Sequence, residues 1–526
     1  MGCTTLGHRR MRGQVFTPQL VARFMVRWAC VGEPRSFLDP ALGLGIFLRE
    51  LVALKLRHVP RVSAYEIEAE LAACVMHALA ASLPQLHVEL NDFVLAPISE
   101  RFDAIVANPP YIRHHSLPYG PDVFEGIGAP HRVRLSRLTN IYALFLLRSL
   151  RLLSERGRMA FITPAEFLNA DFGVPVKAAM LGSKHLDAII YFDHADLLFE
   201  GTLTTAAITL FDAGRSPERP VRLIHVSDGA DLDEVLAQLT IHDTGGSNGH
   251  CWSMHACRTD ELDPSTKWRP HFVAGVTHRK SKHPRLGEFV RTRRGIATGA
   301  NSFFTLTETE RLAHGLSDAE VVPCMTKAGY VKSLEFLDRD FESIRKEDKK
   351  SWLINLSEPL SHAGRAYVKL GEERGISARF LPRCRSPWYS NETAPPAPIW
   401  VGVFSRGGFR FVLNKAGIRS LTTFHGIYPA FAEETLLKAL VAMLVSPSGA
   451  AELHDAKRVY GGGLDKLEPR DLLTVRLPDP RQLRDGQVDA LARAFDRFEA
   501  ILRAQAGETP ANAMDELHSV VMTVAA

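Results

Sequence analysis

Cysteine is scarce, seven in 526 residues and scattered, which is too few for a disulfide framework and points to a reducing compartment. No apolar run reaches the ~18 residues that a bilayer-spanning helix needs, and the stretch 439–445 is typical of the longest. The basic start (Arg9, Arg10, Arg12) is followed by no apolar segment, so neither a secretory nor a twin-arginine leader is expected. Leu6 stands where a myristoylation signal requires Ser or Thr. Excess charge of one sign is also missing: 63 Lys and Arg against 59 Asp and Glu leave +4. Net charge therefore announces no nucleic-acid partner, and any basic footprint must be local. Internal repeats and low-complexity tracts are not found. What remains is a globular composition, 46% hydrophobic and 23% charged. At roughly 100–200 residues per domain, the length suggests two to four domains.

The first part of the chain, up to about residue 215, alternates strand-like and helix-like segments. Thr17-Pro18 reads as a helix start, with Thr capping and Pro in the first turn, and Val21, Phe24, Met25 and Trp28 follow at helical spacing. Then come a strand at 36–38, a glycine-bearing turn, a helix over 46–57, a strand over 62–67 and a helix over 69–81. The apolar run 102–107 reads as a buried strand, 140–154 as a long amphipathic helix, and 158–163, 186–192 and 204–211 as strands. This alternation predicts βαβ units and a mainly parallel sheet covered on both faces. The last two strands are too close for a helix between them, so an antiparallel pair is expected there. Beyond about residue 215, Pro217, Pro220 and the polar stretch 244–249 suggest connections, and the remainder shows no clean period.

Four short motifs carry chemistry. Asp39-Pro40-Ala41-Leu42-Gly43-Leu44-Gly45-Ile46-Phe47 lies between a strand and a helix, where glycines let backbone approach a ligand. Glu66 ends the next strand, where an acid accepts both hydroxyls of a ribose. Asp92-Phe93 stands where a third strand should end, offering an acceptor for an adenine amino group and an aromatic beside its ring. Each of these alone also fits a tight turn or a solvated strand-end acid. The fourth motif, Asn108-Pro109-Pro110-Tyr111, directly follows the buried strand. Its prolines stop the strand and stiffen the turn. The Asn108 amide oxygen and the Pro109 carbonyl can then face one amino group, and Tyr111 supplies a flat face for a base.

In order and spacing these motifs resemble adenine-N6 DNA methyltransferases of the gamma arrangement, the modification methylases of type II restriction systems. The resemblance implies an α/β fold: a Rossmann-like S-adenosylmethionine-dependent methyltransferase domain, mainly parallel with an antiparallel pair at its end, over residues 1–220. A connecting segment over 221–285 and a mixed α/β target-recognition domain over 286–526 would follow. The stretches 291–304, 382–390 and 460–478 look like parts of that recognition half. S-adenosylmethionine would be lined by Thr17, Asp39, Ala41, Gly43, Gly45, Glu66, Ile67, Asp92, Phe93, Asn108, Pro110 and Phe145. Asn108, Pro109, Pro110 and Tyr111 would hold the target adenine, and Phe199 would pack on the extruded base unless it is a core residue. The implied activity is methyl transfer to N6 of adenine in a short double-stranded DNA site, protecting it from a cognate restriction endonuclease. A monomer, a bacterial cytoplasmic location at the nucleoid and no membrane association are expected. The short stretch ahead of Thr17 leads us to expect no nuclease fused there. The tetrapeptide also suits methylation of RNA or of a protein glutamine, and a catalytically silent DNA-specificity protein is a further alternative.

Charge is concentrated where the resemblance would put DNA. Between residues 269 and 294, Arg269, Arg279, Lys280, Lys282, Arg285, Arg291, Arg293 and Arg294 face one acid, Glu288. Such a cluster supplies phosphate contacts, the alternative being a solvated charged face. Arg279, Lys280, Lys282, Arg291, Arg293 and Arg294 are the candidate DNA contacts, and Gly295, Gly299 and Asn301 could bring backbone close to phosphate. Residues 383–389 mix cations and aromatics and fit either DNA contact or core. His250, Cys251, His255 and Cys257 match no common zinc spacing, so no metal is expected. Glu347-Asp348-Lys349 lacks the upstream acid of a nuclease site.

Overall fold

Strand β1 (Ser36–Asp39) is the pivot of the catalytic half. Its neighbours are β2 (Arg61–Glu66) on one side and β4 (Phe102–Ala107) on the other, both parallel to it, and β3 (Leu86–Leu90) lies outside β2. The computed structural model that shows this describes residues 17–112, 118–192, 205–227, 229–241, 246–272, 282–392, 394–460, 464–505 and 511–525. The chain divides into two units, Met1–Thr277 with Val459–Gly463, and His278–Arg458 with Leu464–Ala526.

In the first unit, β5 (Leu153–Pro164), β6 (Leu186–Phe192) and β7 (Ala206–Asp212) continue the sheet beyond β4. β7 inserts between β5 and β6 and runs antiparallel to both, with Ile162 and Ile190 each opposite Ile208. The expected antiparallel pair is thus present, in the interior of the sheet. The strands are apolar on both sides because both faces are covered. Phe37, Ala104, Val106 and Ile162 point to one core, shared with α1 (Gln19–Ala29), α2 (Ile46–Ala53), α3 (Ala69–Leu79) and α7 (Leu232–Thr240). Leu38, Ile105, Ala107 and Phe161 point to the other, shared with α4 (Pro121–Gly128), α5 (Ile141–Arg151) and α6 (Gly173–Gly182).

Two expectations need correction. The segment 221–285 is not simply a connector: β8 (Val221–Val226) pairs parallel with β6, and β9 (Ser247–Gly249) and β10 (Trp252–Cys257) complete a ten-stranded sheet. Pro217 and Pro220 mark the turn into β8, whose apolar residues need the same two cores as β6, so the prolines punctuate the sheet and do not end it. Thr17 does not cap α1. The helix begins at Gln19 with Pro18 as its flanking residue, whose carbonyl accepts the Ala22 N–H at 3.0 Å.

The second unit is mixed α/β. Its five-stranded sheet runs Val290–Arg294, Phe424–Pro429, Ile399–Gly402, Phe411–Asn414 and Glu335–Phe336 in spatial order, so the arginine-rich strand is an edge. The helices Glu434–Val445, Asp485–Ala504 and Ala511–Ala525 share a core with that sheet. The run 439–445 lies in the first of them and is buried there through Leu444, and among the described residues no single helix is long and apolar enough to cross a membrane.

Candidate active site

The chain runs outward from β1 through β2 to β3 and then returns to lay β4 on the other side of β1. Such a reversal opens a crevice beyond the carboxyl ends of the strands, because the connecting segments leave in opposite directions. Asp39 ends β1, Glu66 ends β2, Asp92 follows β3 and Asn108 follows β4, so the fold brings all four motif positions to that edge. In a parallel sheet every strand presents the same end there, which is why residues far apart in sequence converge.

Asp39 is fully buried. Its Oδ1 accepts the Ala41 N–H at 3.1 Å, and its Oδ2 has no hydrogen-bond partner among the described residues. Burial pushes its carboxyl up from 3.8 to about 7; the Ala41 N–H opposes this and the charge of Glu66 adds to it. The folded chain therefore keeps a proton that the unfolded chain releases, and stability falls as pH rises between these values. Asp39→Asn should raise the melting temperature of the ligand-free chain at pH 8 and leave it nearly unchanged at pH 4. Thermal melts across that range check this, and equal effects at both pH values would contradict a buried, titrating Asp39.

Glycine geometry shapes the neighbouring turn. Gly43 (φ +50°) donates its N–H to Glu66 Oε2 at 2.9 Å, while Glu66 Oε1 accepts from Ile67 and Glu68 at 2.8 and 3.0 Å. The carboxylate expected to face a ribose is thereby fixed in orientation by three backbone donors. Gly45 (φ +69°) starts α2, and a Cβ there would stand 2.7 Å from Val75 Cγ1, so only glycine lets α2 pack on α3. Ala41 is half-buried at this turn, and Ile67, 71% exposed, leaves an apolar side chain in solvent next to Glu66.

Asp92 Oδ1 accepts the Val94 N–H and its Oδ2 accepts the Tyr119 hydroxyl, both at 2.8 Å. Phe93 is 2% exposed and packs on Tyr65 (ring centroids 5.3 Å) and Phe145 (5.1 Å). The Arg148 guanidinium lies 5.5 Å from the Phe93 ring centroid and donates to the Val94 carbonyl at 3.0 Å and to that of Ala96. Phe93 and Phe145 are thus parts of a buried aromatic cluster under this turn.

At the fourth corner Asn108 Nδ2 donates to Thr17 Oγ1 at 3.0 Å, which gives Thr17 a role other than capping. Pro109 is buried, and Pro110 and Tyr111 are half-buried. The Tyr111 ring meets Tyr142 edge-on at 6.5 Å, and Tyr142 meets Phe172 at 6.4 Å. Burial raises the pKa of both tyrosine hydroxyls, so both stay protonated. Sequence reasoning missed Tyr119, Tyr142, Arg148 and Phe172, which lie outside the motifs; only the aromatic in 140–147 beside Phe145 was a visible signal. Phe199 lies outside the described residues.

In the second unit Lys282, Arg291, Arg293 and Arg294 are exposed, and none forms an ion pair among the described residues. Arg279 and Lys280 lie outside the described residues. Gly295 is half-buried and Gly299 exposed; a Cβ on Gly295 would stand 2.1 Å from the Leu421 carbonyl oxygen, and one on Gly299 2.7 Å from Leu381 Cβ, so packing also requires glycine at both positions. Asn301 Oδ1 accepts the Thr298 hydroxyl at 2.5 Å. In the 383–389 cluster Tyr389 is buried, Arg385 and Trp388 are half-buried, and Arg383, Cys384, Ser386 and Pro387 are exposed. Arg385 donates to the Ala297 and Thr298 carbonyls, Trp388 packs 6.0 Å from Phe303, and buried Tyr389 donates to Glu358. Among the described residues no group of three or more His, Cys, Asp or Glu is placed to hold a metal ion.

Residues 81–199 match the family described as Eco57I restriction-modification methylase, and residues 271–517 match the C-terminal domain of the type II methyltransferase M.Eco57I. The chain belongs to the type II restriction-modification methylases. It is 29% identical to the type II methyltransferase M.AccI of Acinetobacter calcoaceticus over 98% of this chain and 94% of that one. It is also 29% identical to M.XamI of Xanthomonas campestris pv. amaranthicola, over 91% and 87%. A cryo-EM structure of a DrdV–DNA complex shares the fold with TM-score 0.57 and 12% identity, covering 95% of the methylase and 58% of the DrdV chain. The methylase is thus a DNA methyltransferase of restriction-modification type, and S-adenosylmethionine is its implied methyl donor.

Proposed function

We propose that this methylase has the gamma arrangement and transfers the methyl group of S-adenosylmethionine to N6 of adenine in a short double-stranded site, protecting it from a partner endonuclease. The observation that carries this reading is Asn108-Pro109-Pro110-Tyr111 at the carboxyl end of β4, across the reversal point from Asp39. Asn108 Nδ2 donates to Thr17 Oγ1, and Oδ1 is the acceptor end of the amide. With the Pro109 carbonyl it makes two acceptors for one exocyclic amino group. They draw its hydrogens out of the ring plane and make the nitrogen lone pair available.

The residues fit the donor. The partnerless Asp39 Oδ2 needs a hydrogen-bond partner, Glu66 presents an oriented carboxylate for a diol, Ile67 an apolar face, and Asp92 an acceptor for an amino group. When bound, S-adenosylmethionine supplies an electrophilic methyl group on a sulfonium. Thr17, Ala41, Gly43, Gly45 and Pro110 border the same edge, while Phe93 and Phe145 support it from below. The target adenine must leave the duplex at a few kcal/mol of unstacking, and Tyr111, backed by Tyr142 and Phe172, receives its face. Phe199 is proposed as the opposite face. No base is needed before attack, because the excess proton can leave afterwards, so the rate comes from positioning and electrostatics.

Residues 286–526 are proposed as the target-recognition domain, with Arg279, Lys280, Lys282, Arg291, Arg293 and Arg294 on DNA phosphates. The methylase acts as a monomer in the bacterial cytoplasm, since each strand of a site is modified separately. The purified chain, given labelled S-adenosylmethionine and duplex DNA, tRNA, rRNA and release-factor protein in parallel, should label DNA alone. Nucleoside analysis should return N6-methyladenine; label in RNA, in protein or on cytosine would overturn the reading.

A further inference from the structure

Tyr119 belongs to none of the motifs, yet it lies in the β4-to-α4 connection that begins with Asn108. It is buried (7% exposed), and its hydroxyl hydrogen-bonds Asp92 Oδ2 at 2.8 Å. A carboxylate at a turn is free to rotate about its last side-chain torsion unless both oxygens are engaged. Here both are: Val94 N–H holds Oδ1 and Tyr119 holds Oδ2. The turn beneath is fastened by Arg148 through the Val94 and Ala96 carbonyls and the Phe93 ring. Burial, and next the bond to Asp92, raise the Tyr119 pKa, so the hydroxyl remains a donor at any working pH. Asp92 itself is only half-buried. Each carboxylate oxygen accepts two hydrogen bonds, so one acceptor position per oxygen remains.

We propose that Tyr119 is a positioning residue for the methyl donor: it sets the plane of the Asp92 carboxylate so that a remaining acceptor position meets the 6-amino group of the donor's adenine. This rests on the reading that Asp92 faces that adenine. Tyr119 also places the means of recognising the donor in the same connection as the target-base corner.

The test is calorimetric, on the full chain, with S-adenosylhomocysteine and its analogue lacking the 6-amino group. Wild type should favour the amino-bearing ligand by about tenfold, the worth of one hydrogen bond to a charged acceptor. Tyr119→Phe keeps the ring and should lose most of that preference while binding the analogue as wild type does. Asp92→Ala should lose it too, and the double variant should lose no more. If Tyr119→Phe weakens both ligands equally, or leaves the preference intact, the proposal is overturned and the assignment of Asp92 stands. If wild type binds S-adenosylhomocysteine without preference, the Asp92 assignment fails and takes the proposal with it. If wild type binds neither ligand, the site itself has been misread.

Discussion

Asn108→Ala should cut single-turnover methylation by about 10²–10³-fold, the usual cost of removing one group aimed at the reacting centre. Affinity for duplex DNA should change by less than about threefold, since phosphate contacts supply most of it. The argument is geometric. Asn108 leaves the sheet where β4 ends, two prolines hold the turn rigid, and the Asn108 Nδ2 is engaged by the Thr17 hydroxyl. Alanine removes one of two acceptors and leaves the Pro109 carbonyl unable to orient an amino group alone. Quenched-flow methylation and fluorescence anisotropy on the same duplex separate the two effects. A variant that keeps more than about a tenth of wild-type rate would remove Asn108 from the chemistry.

Reversing Arg291, Arg293 and Arg294 to Glu together should weaken DNA binding by at least about 100-fold near 0.1 M salt. It should also lower the slope of log affinity against log salt by about 2–3, at roughly 0.9 per phosphate contact. Among the described residues the three arginines sit on an edge strand that pairs with Phe424–Pro429, and their side chains are exposed. Like charges along one strand repel, and bound phosphates would offset that repulsion. A second physical role exists for such a strand, since charge on a sheet edge discourages pairing with another chain. The salt slope distinguishes them: an unchanged slope with new self-association would assign the arginines to edge protection. Binding of S-adenosylhomocysteine should be unaffected.

The particular elements show how far sequence reasoning reaches. Gly43 and Gly45 both adopt positive φ between a strand and a helix, as their spacing implied, because that requirement is local. The prolines after β4 end the strand for the same kind of reason. The motif acids and Asn108 reach one edge because parallel strands with buried faces align their ends, and periodicity shows that. The packing need for glycine at 295 and 299 comes from Leu421 and Leu381, which are remote in sequence and gave no local signal. The aromatic-cationic stretch around Arg385 could not be assigned to core or surface until Phe303, Phe304 and the Ala297 and Thr298 carbonyls were seen against it.

By itself the sequence determined the parallel α/β scaffold and the four motif positions at the ends of its strands, because hydrophobic period, glycine conformation and proline stops act within a few residues. Only the tertiary structure decided that β7 inserts between β5 and β6, that residues 221–257 extend the sheet, that Thr17 serves Asn108, that burial raises the Asp39 pKa and that Tyr119 holds Asp92. Those outcomes depend on burial and on which chain crossings bring distant side chains within hydrogen-bond distance, and no local rule encodes either.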